Sequence, residues 1–120
     1  MDEGQQQRLR AEEQRLFSAF GTIRDADEAR AFLLDVCSPK EIADLAQRLQ
    51  VATLLADGAS YVSVSRQTGA SSTTVSRVSK CLNGPAGGYR LVLGRIGTQG
   101  GANGTSASGA GTGAADPAAE

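Results

Sequence analysis

Between Ser65 and Leu82 the chain reads SRQTGASSTTVSRVSKCL, with five Ser, three Thr, three cations and no acid. Hydroxyls and cations at this density suit binding rather than bond-making. They hydrogen-bond and pair with phosphate oxygens and base edges of a nucleic acid. Ser71, Ser72, Thr73, Ser76, Arg77 and Lys80 are the candidate DNA-binding side chains. Short hydroxyls approach a base edge without steric blockage, and the two cations add reach and charge. The plainer alternative is a polar helical hairpin that merely covers a core.

No catalytic centre is legible. The chain has no His, which excludes a His general base or a His metal site. Two cysteines, Cys37 and Cys81, cannot supply a Cys-rich zinc site. There is no evident nucleophile–base pair. The glycines near the end follow no strand, so they do not read as a nucleotide-binding loop. An enzyme, a metal and a tightly held cofactor are therefore not expected.

Charge points the same way once it is read locally. The formal net charge is −1. Residues 1–57 hold seven Lys/Arg and eleven Asp/Glu, net −4; residues 58–96 hold Arg66, Arg77, Lys80, Arg90 and Arg95 and no acid, net +5; the remainder carries Asp116 and Glu120, net −2. A basic, acid-free half is the electrostatic footprint expected of a phosphate-binding surface.

To present those side chains together, residues 65–82 must form two short helices meeting at a sharp turn. Ser60 caps a helix over 61–68. Gly69 supplies the turn, with the positive φ that glycine adopts without steric cost. Ser71 or Ser72 caps the next helix, which runs from Ser72 to Leu82. Its Val75, Val78 and Leu82 point one way, and Thr73, Ser76, Arg77 and Lys80 largely the other. Ser65, then Gly69 four residues later, Val75 six further on and Val78 three beyond is the spacing of a helix-turn-helix. Its second helix enters the DNA major groove.

The rest of the chain reads as helices that support this unit. Leu9, Leu16, Phe17 and Phe20 share one side of a helix from about Arg8 to Phe20, ended by Gly21. Asp25 or Asp27 caps a second, with Ala29, Phe32, Leu33 and Val36 as apolar positions. Ser38-Pro39-Lys40-Glu41 is a capping box with Pro at the first helical position. The stripe Ile42, Leu45, Leu49, Ala52 and Leu55 follows, until Asp57-Gly58 stops it. Only YRLVLGRI leaves helix and strand both open. The expected class is all-α, with a flexible start over 1–7, one helical domain over 8–96, and a disordered Gly/Ala-rich tail over 97–120.

With three Phe, two Tyr and no Trp, a large monomeric core is not expected, and burial by self-association is. Leu16, Phe17, Phe20, Phe32 and Leu33 are the positions expected partly against a second copy. No apolar run approaches membrane-spanning length. No secretory leader is visible at Met1, so a cytoplasmic protein with reduced thiols and no membrane partner is expected.

Three stretches, SPKEIADLAQRL, TGASSTTVSRVSKCLN and GGYRLVL, resemble the Trp repressor superfamily, nearest its YerC/YecD-like branch. The resemblance covers roughly residues 26–96. It implies an intertwined all-helical homodimer whose helix-turn-helix units reach successive major grooves of double-stranded DNA. It also implies a site for a small amino-acid-like effector at Arg48, Thr74 and Arg77. Two features depart from the family pattern. Cys81 stands where the family has a serine that holds the amino group, and the stretch between Gly58 and Gly69 is one residue shorter. Both weigh against tryptophan as the ligand. The expectation is a repressor-like transcriptional regulator that binds specific DNA as a homodimer. A helical scaffold module without DNA binding is the alternative.

Overall fold

The first five helix starts each carry a side chain that satisfies otherwise unpaired backbone N–H groups. In the computed structural model, which describes residues 2–102 and side chains through Gly97, Asp2 opens α1 (Glu3–Phe20) with a capping box to Gln5. Asp25 caps α2 (Ala26–Val36) by accepting from the Glu28 N–H at 2.9 Å. Ser38 and Glu41 cap α3 (Pro39–Ala56) reciprocally, at 2.8 and 3.1 Å. Ser60 caps α4 (Tyr61–Thr68), and Ser71 caps α5 (Ser72–Leu82). The last element, α6 (Gly88–Ala102), takes in the YRLVLGRI stretch as helix.

The chain is thus all-α, with no strand among the described residues. α1 begins five residues before Arg8, because the Asp2–Gln5 capping box starts a helix among residues expected to be flexible. Residues 97–102 of the expected tail lie in α6, and residues 103–120 lie outside the described residues. No helix is long and apolar enough to cross a membrane. Cys37 and Cys81 are both free thiols.

The chain divides into two compact units, and the division falls inside α3, between Ala43 and Asp44. The expected domain over 8–96 spans both. In the first unit no described residue is fully buried. Its main aromatic contact is an edge-on pair, Phe20 with Phe32, at 5.4 Å between ring centres. Leu16, Phe17, Phe20, Leu34 and Val36 stay exposed, Phe17 at 62%.

The second unit has a closed core of small side chains. Val51 and Ala52 on α3, Val64 on α4, Ala70 in the turn, and Val75 and Val78 on α5 are all at most 3% exposed. Leu54, Leu55, Ala59, Tyr89 and Leu93 pack around them. Here the α3 stripe is only partly used. Leu45 and Leu49 remain exposed, while Ala52 of the stripe is buried together with Val51, which the stripe did not include.

Candidate nucleic-acid interface

The turn between α4 and α5 is built from its own polar groups. Gly69 has φ +76°, and a Cβ there would meet no atom, so the constraint at this position is backbone conformation alone. The Ser65 hydroxyl donates to the Ala70 carbonyl at 2.6 Å, and the Thr68 hydroxyl accepts from the Ala70 N–H at 3.1 Å. From α3, Gln47 Nε2 donates to the Thr68 carbonyl at 3.3 Å. The small residues named by the sequence spacing therefore fix the corner, while Ala70 behind it is buried.

α5 turns about 100° per residue, which sorts its side chains onto distinct sides. Val75 and Val78 face the core and are buried, with Leu82 on the same side half-buried. Opposite them lie Ser72, Thr73, Ser76, Arg77 and Lys80, all exposed. Ser71 is exposed too, but its hydroxyl already serves the helix. It accepts from the Thr74 N–H and donates to the Thr74 hydroxyl, both at 3.1 Å. All six candidate DNA-binding residues thus lie on or at the start of one helix face, and Ser71 is primarily a cap. Because no acid lies between Gly58 and Ile96, this face meets no carboxylate from its own stretch of sequence.

The flanks of α5 differ. On one, Thr74, Arg77 and Cys81 follow at helical spacing, with Thr74 half-buried and the other two exposed. Beside this flank stands Tyr89 of α6. Burial pushes the Tyr89 phenol above its ordinary value; the Cys81 thiol adds to the shift and the Arg48 guanidinium of α3 offsets part of it. Arg48, Cys81 and Tyr89 therefore share one electrostatic neighbourhood. Arg48 is exposed, as is Arg77. On the other flank, Tyr61 of α4 donates its hydroxyl to Ser79 Oγ at 2.5 Å. Tyr61, Val62, Ser65, Arg66, Ser72 and Val75 line a shallow groove of about 330 Å³ there.

Two side chains at this site escaped the sequence reading. Arg90 counted there only as one of five cations. Its guanidinium donates to the carbonyls of Leu82 and Gly84, the latter at 3.0 Å. Tyr61 carried no signal at all, since its partner Ser79 is eighteen residues away. Among the described residues, no cluster of His, Cys, Asp or Glu could hold a metal ion.

Comparison with known proteins sets this geometry in context. The family model described as Trp repressor protein matches residues 11–96. The protein YerC of Bacillus subtilis strain 168, itself uncharacterized, is 40% identical over 90 residues, which is 74% of this chain and 86% of YerC. A crystal structure of a TrpR-like protein from Eubacterium eligens is 42% identical, with a TM-score of 0.63, covering 70% of this chain and 87% of that one. Another, from Staphylococcus aureus and provisionally described as a Trp repressor, is 36% identical with a TM-score of 0.66, covering 72% of this chain and 87% of its own.

Proposed function

The chain belongs to the Trp repressor family, in its YerC-like branch, and on that premise we propose that it is a sequence-specific, DNA-binding transcriptional regulator acting as a homodimer. The observation that carries this reading is the exposed α5 face. Thr73, Ser76, Arg77 and Lys80 stand together, opposite the buried Val75 and Val78. The family is a regulatory one, and this face offers binding groups without catalytic partners.

α5 is the recognition helix. Its hydroxyls read base edges, Lys80 and Arg77 hold phosphates, and α4 crosses the backbone. The second copy supplies the other half-site and covers the apolar side chains that the first unit leaves in water. Leu16, Phe17 and Phe20 are exposed in the single chain, and Phe32 and Leu33 are half-buried. Dimerisation is the ordinary way to cover a patch of that kind.

The test is duplex binding over a range of salt, with the preferred sequence first found by mapping bound genomic DNA. Affinity falls steeply as salt rises, because bound phosphates release counterions. Lys80→Ala weakens binding to every duplex alike, whereas Thr73→Ala and Ser76→Ala change the preference among sequences. A purified protein with no salt-dependent duplex binding is a helical scaffold instead.

A small anionic effector, amino-acid-like in character, fits the flank formed by Thr74 and Arg77 with Arg48 nearby. What supports it is the shared electrostatic neighbourhood of Arg48 and Cys81, two positions that the family resemblance assigns to an effector site. A carboxylate suits the guanidinium fork, and a flat apolar group suits its face. Calorimetric titration with amino acids and related acids tests it. With a binder in hand, Arg48→Ala abolishes the effect of the ligand on DNA affinity and leaves basal affinity unchanged.

A further inference from the structure

Core packing of α5 is non-directional. Val75 and Val78 decide which face is buried, but their burial supplies no hydrogen bond that orients the helix. Base readout needs such orientation, because a recognition side chain must be held within roughly 0.5 Å and 10–20° of its working geometry. Directional contacts from the neighbouring helices must therefore set the pose. Two of these act on the C-terminal half of α5, from two different helices. From α4, Tyr61 Oη donates to Ser79 Oγ at 2.5 Å. From α6, Arg90 reaches back to the carbonyls of Leu82 and Gly84, the second at 3.0 Å.

The Arg90 contact suits its place. The last carbonyls of a helix have no partner within it, and a cation beside them complements the negative end of the helix dipole. Asn83 covers the Ser79 carbonyl with both its backbone N–H and its Nδ2, and Gly84 N–H covers that of Cys81. The Arg90 fork takes Leu82 and Gly84. Gly87, just before α6, has φ +74°, and even a Cβ there would stand only in ordinary contact with Arg90 Nη2, at 3.4 Å, so the constraint at this position is backbone conformation.

We propose that Tyr61 and Arg90 are positioning residues for base recognition, clamping α5 from α4 and α6 in the tilt at which Thr73 and Ser76 meet base edges, without touching DNA themselves. The inference rests on the DNA-binding reading above. It also removes Arg90 from the cations available to phosphate, although its sequence context places it among them.

The experiment uses the full chain, two duplexes of equal length (the selected sequence and a scrambled one) and a salt series for each. In Tyr61→Phe and Arg90→Ala, preference for the selected duplex falls about tenfold. Affinity for the scrambled duplex and the salt slope both stay near those of the wild type, because phosphate contacts are intact. Arg90→Lys keeps the charge but loses the two-carbonyl fork, and restores the preference only in part. Arg90→Ala weakening both duplexes equally, with a salt slope lower by about one, makes Arg90 a phosphate contact and overturns the proposal. Unchanged preference in both variants also overturns it. Hydrogen exchange supplies a readout independent of DNA. In Arg90→Ala the amides of residues 79–84 exchange faster while those of 47–55 do not; equal slowing or speeding of both segments shows a purely structural role. If the wild type binds neither duplex, the DNA reading fails on its own, and the positioning role falls with it whatever hydrogen exchange shows about the clamp.

Discussion

The two units spend their apolar residues in opposite ways. Through residue 43, three Phe and several Leu produce no fully buried side chain, and Phe17 is 62% exposed. From residue 44 on, a set of Val and Ala residues forms a core that excludes water almost completely. Size of side chain is thus a poor guide to where a closed core lies. Two helices have too little surface to enclose their own large side chains, whereas residues from three helices and a turn together enclose small ones. The first unit thus leaves its large apolar side chains in water, whereas the second encloses a small core and still exposes Leu45, Leu49 and Val62 around it.

The largest effect that could break this contrast is in the first unit. Phe17→Asp places a charge in the surface proposed to meet a second copy. Sedimentation at micromolar concentration should turn from dimer to monomer, with a loss comparable to that of a buried Phe, roughly 3–5 kcal/mol. A wild-type monomer, or a Phe17→Asp dimer, removes that account of the exposed side chains.

Next in size is a cavity in the second unit. Val64 is fully buried on α4, so Val64→Ala should cost about 1–3 kcal/mol in chemical denaturation. Because that core closes within one chain, its cost should not depend on protein concentration when measured in the Phe17→Asp background. A concentration-dependent cost there would show that the second unit also leans on a partner.

Gly69→Ala is smaller and isolates the turn. The added methyl meets nothing, and the backbone must hold φ +76°, so the expected loss is about 1 kcal/mol. A larger loss in thermal melting would mean that the corner is also sterically tight.

The smallest effect concerns Tyr89. Burial raises its phenol above the ordinary value of 10.0. A raised folded-state value favours the protonated form, so the contribution is complete below about pH 10 and is lost as pH climbs through and beyond that range. Alkaline melting curves of Tyr89→Phe should fall less steeply above pH 10 than those of the wild type. Identical slopes would show that the phenol is as well solvated folded as unfolded.

Local signals in the sequence located most elements. Asp25, Ser38, Ser60 and Ser71 all cap the helices they precede, since a side-chain oxygen two or three residues from an unpaired N–H acts over a range that spacing alone reveals. The start of α1 was less legible. EGQQQ has no apolar periodicity, and only the Asp2–Gln5 box marks the helix. For the candidate interface, the sequence supplied the face that carries Thr73, Ser76, Arg77 and Lys80, because helical periodicity separates it from Val75 and Val78.

By itself, then, the sequence determined the all-helical class, the caps at Ser38 and Ser60, the Gly69 corner, the identity of the α5 face and its acid-free charge. All of these follow from residues within a few positions of one another. Only the tertiary structure decided that Val51 rather than Leu45 and Leu49 enters the core, that Tyr61 meets Ser79, and that Arg90 serves backbone carbonyls. Those outcomes depend on how far apart two helix axes lie and at what angle they cross. That geometry arises when several apolar faces close on one another, and no single stretch of chain encodes it.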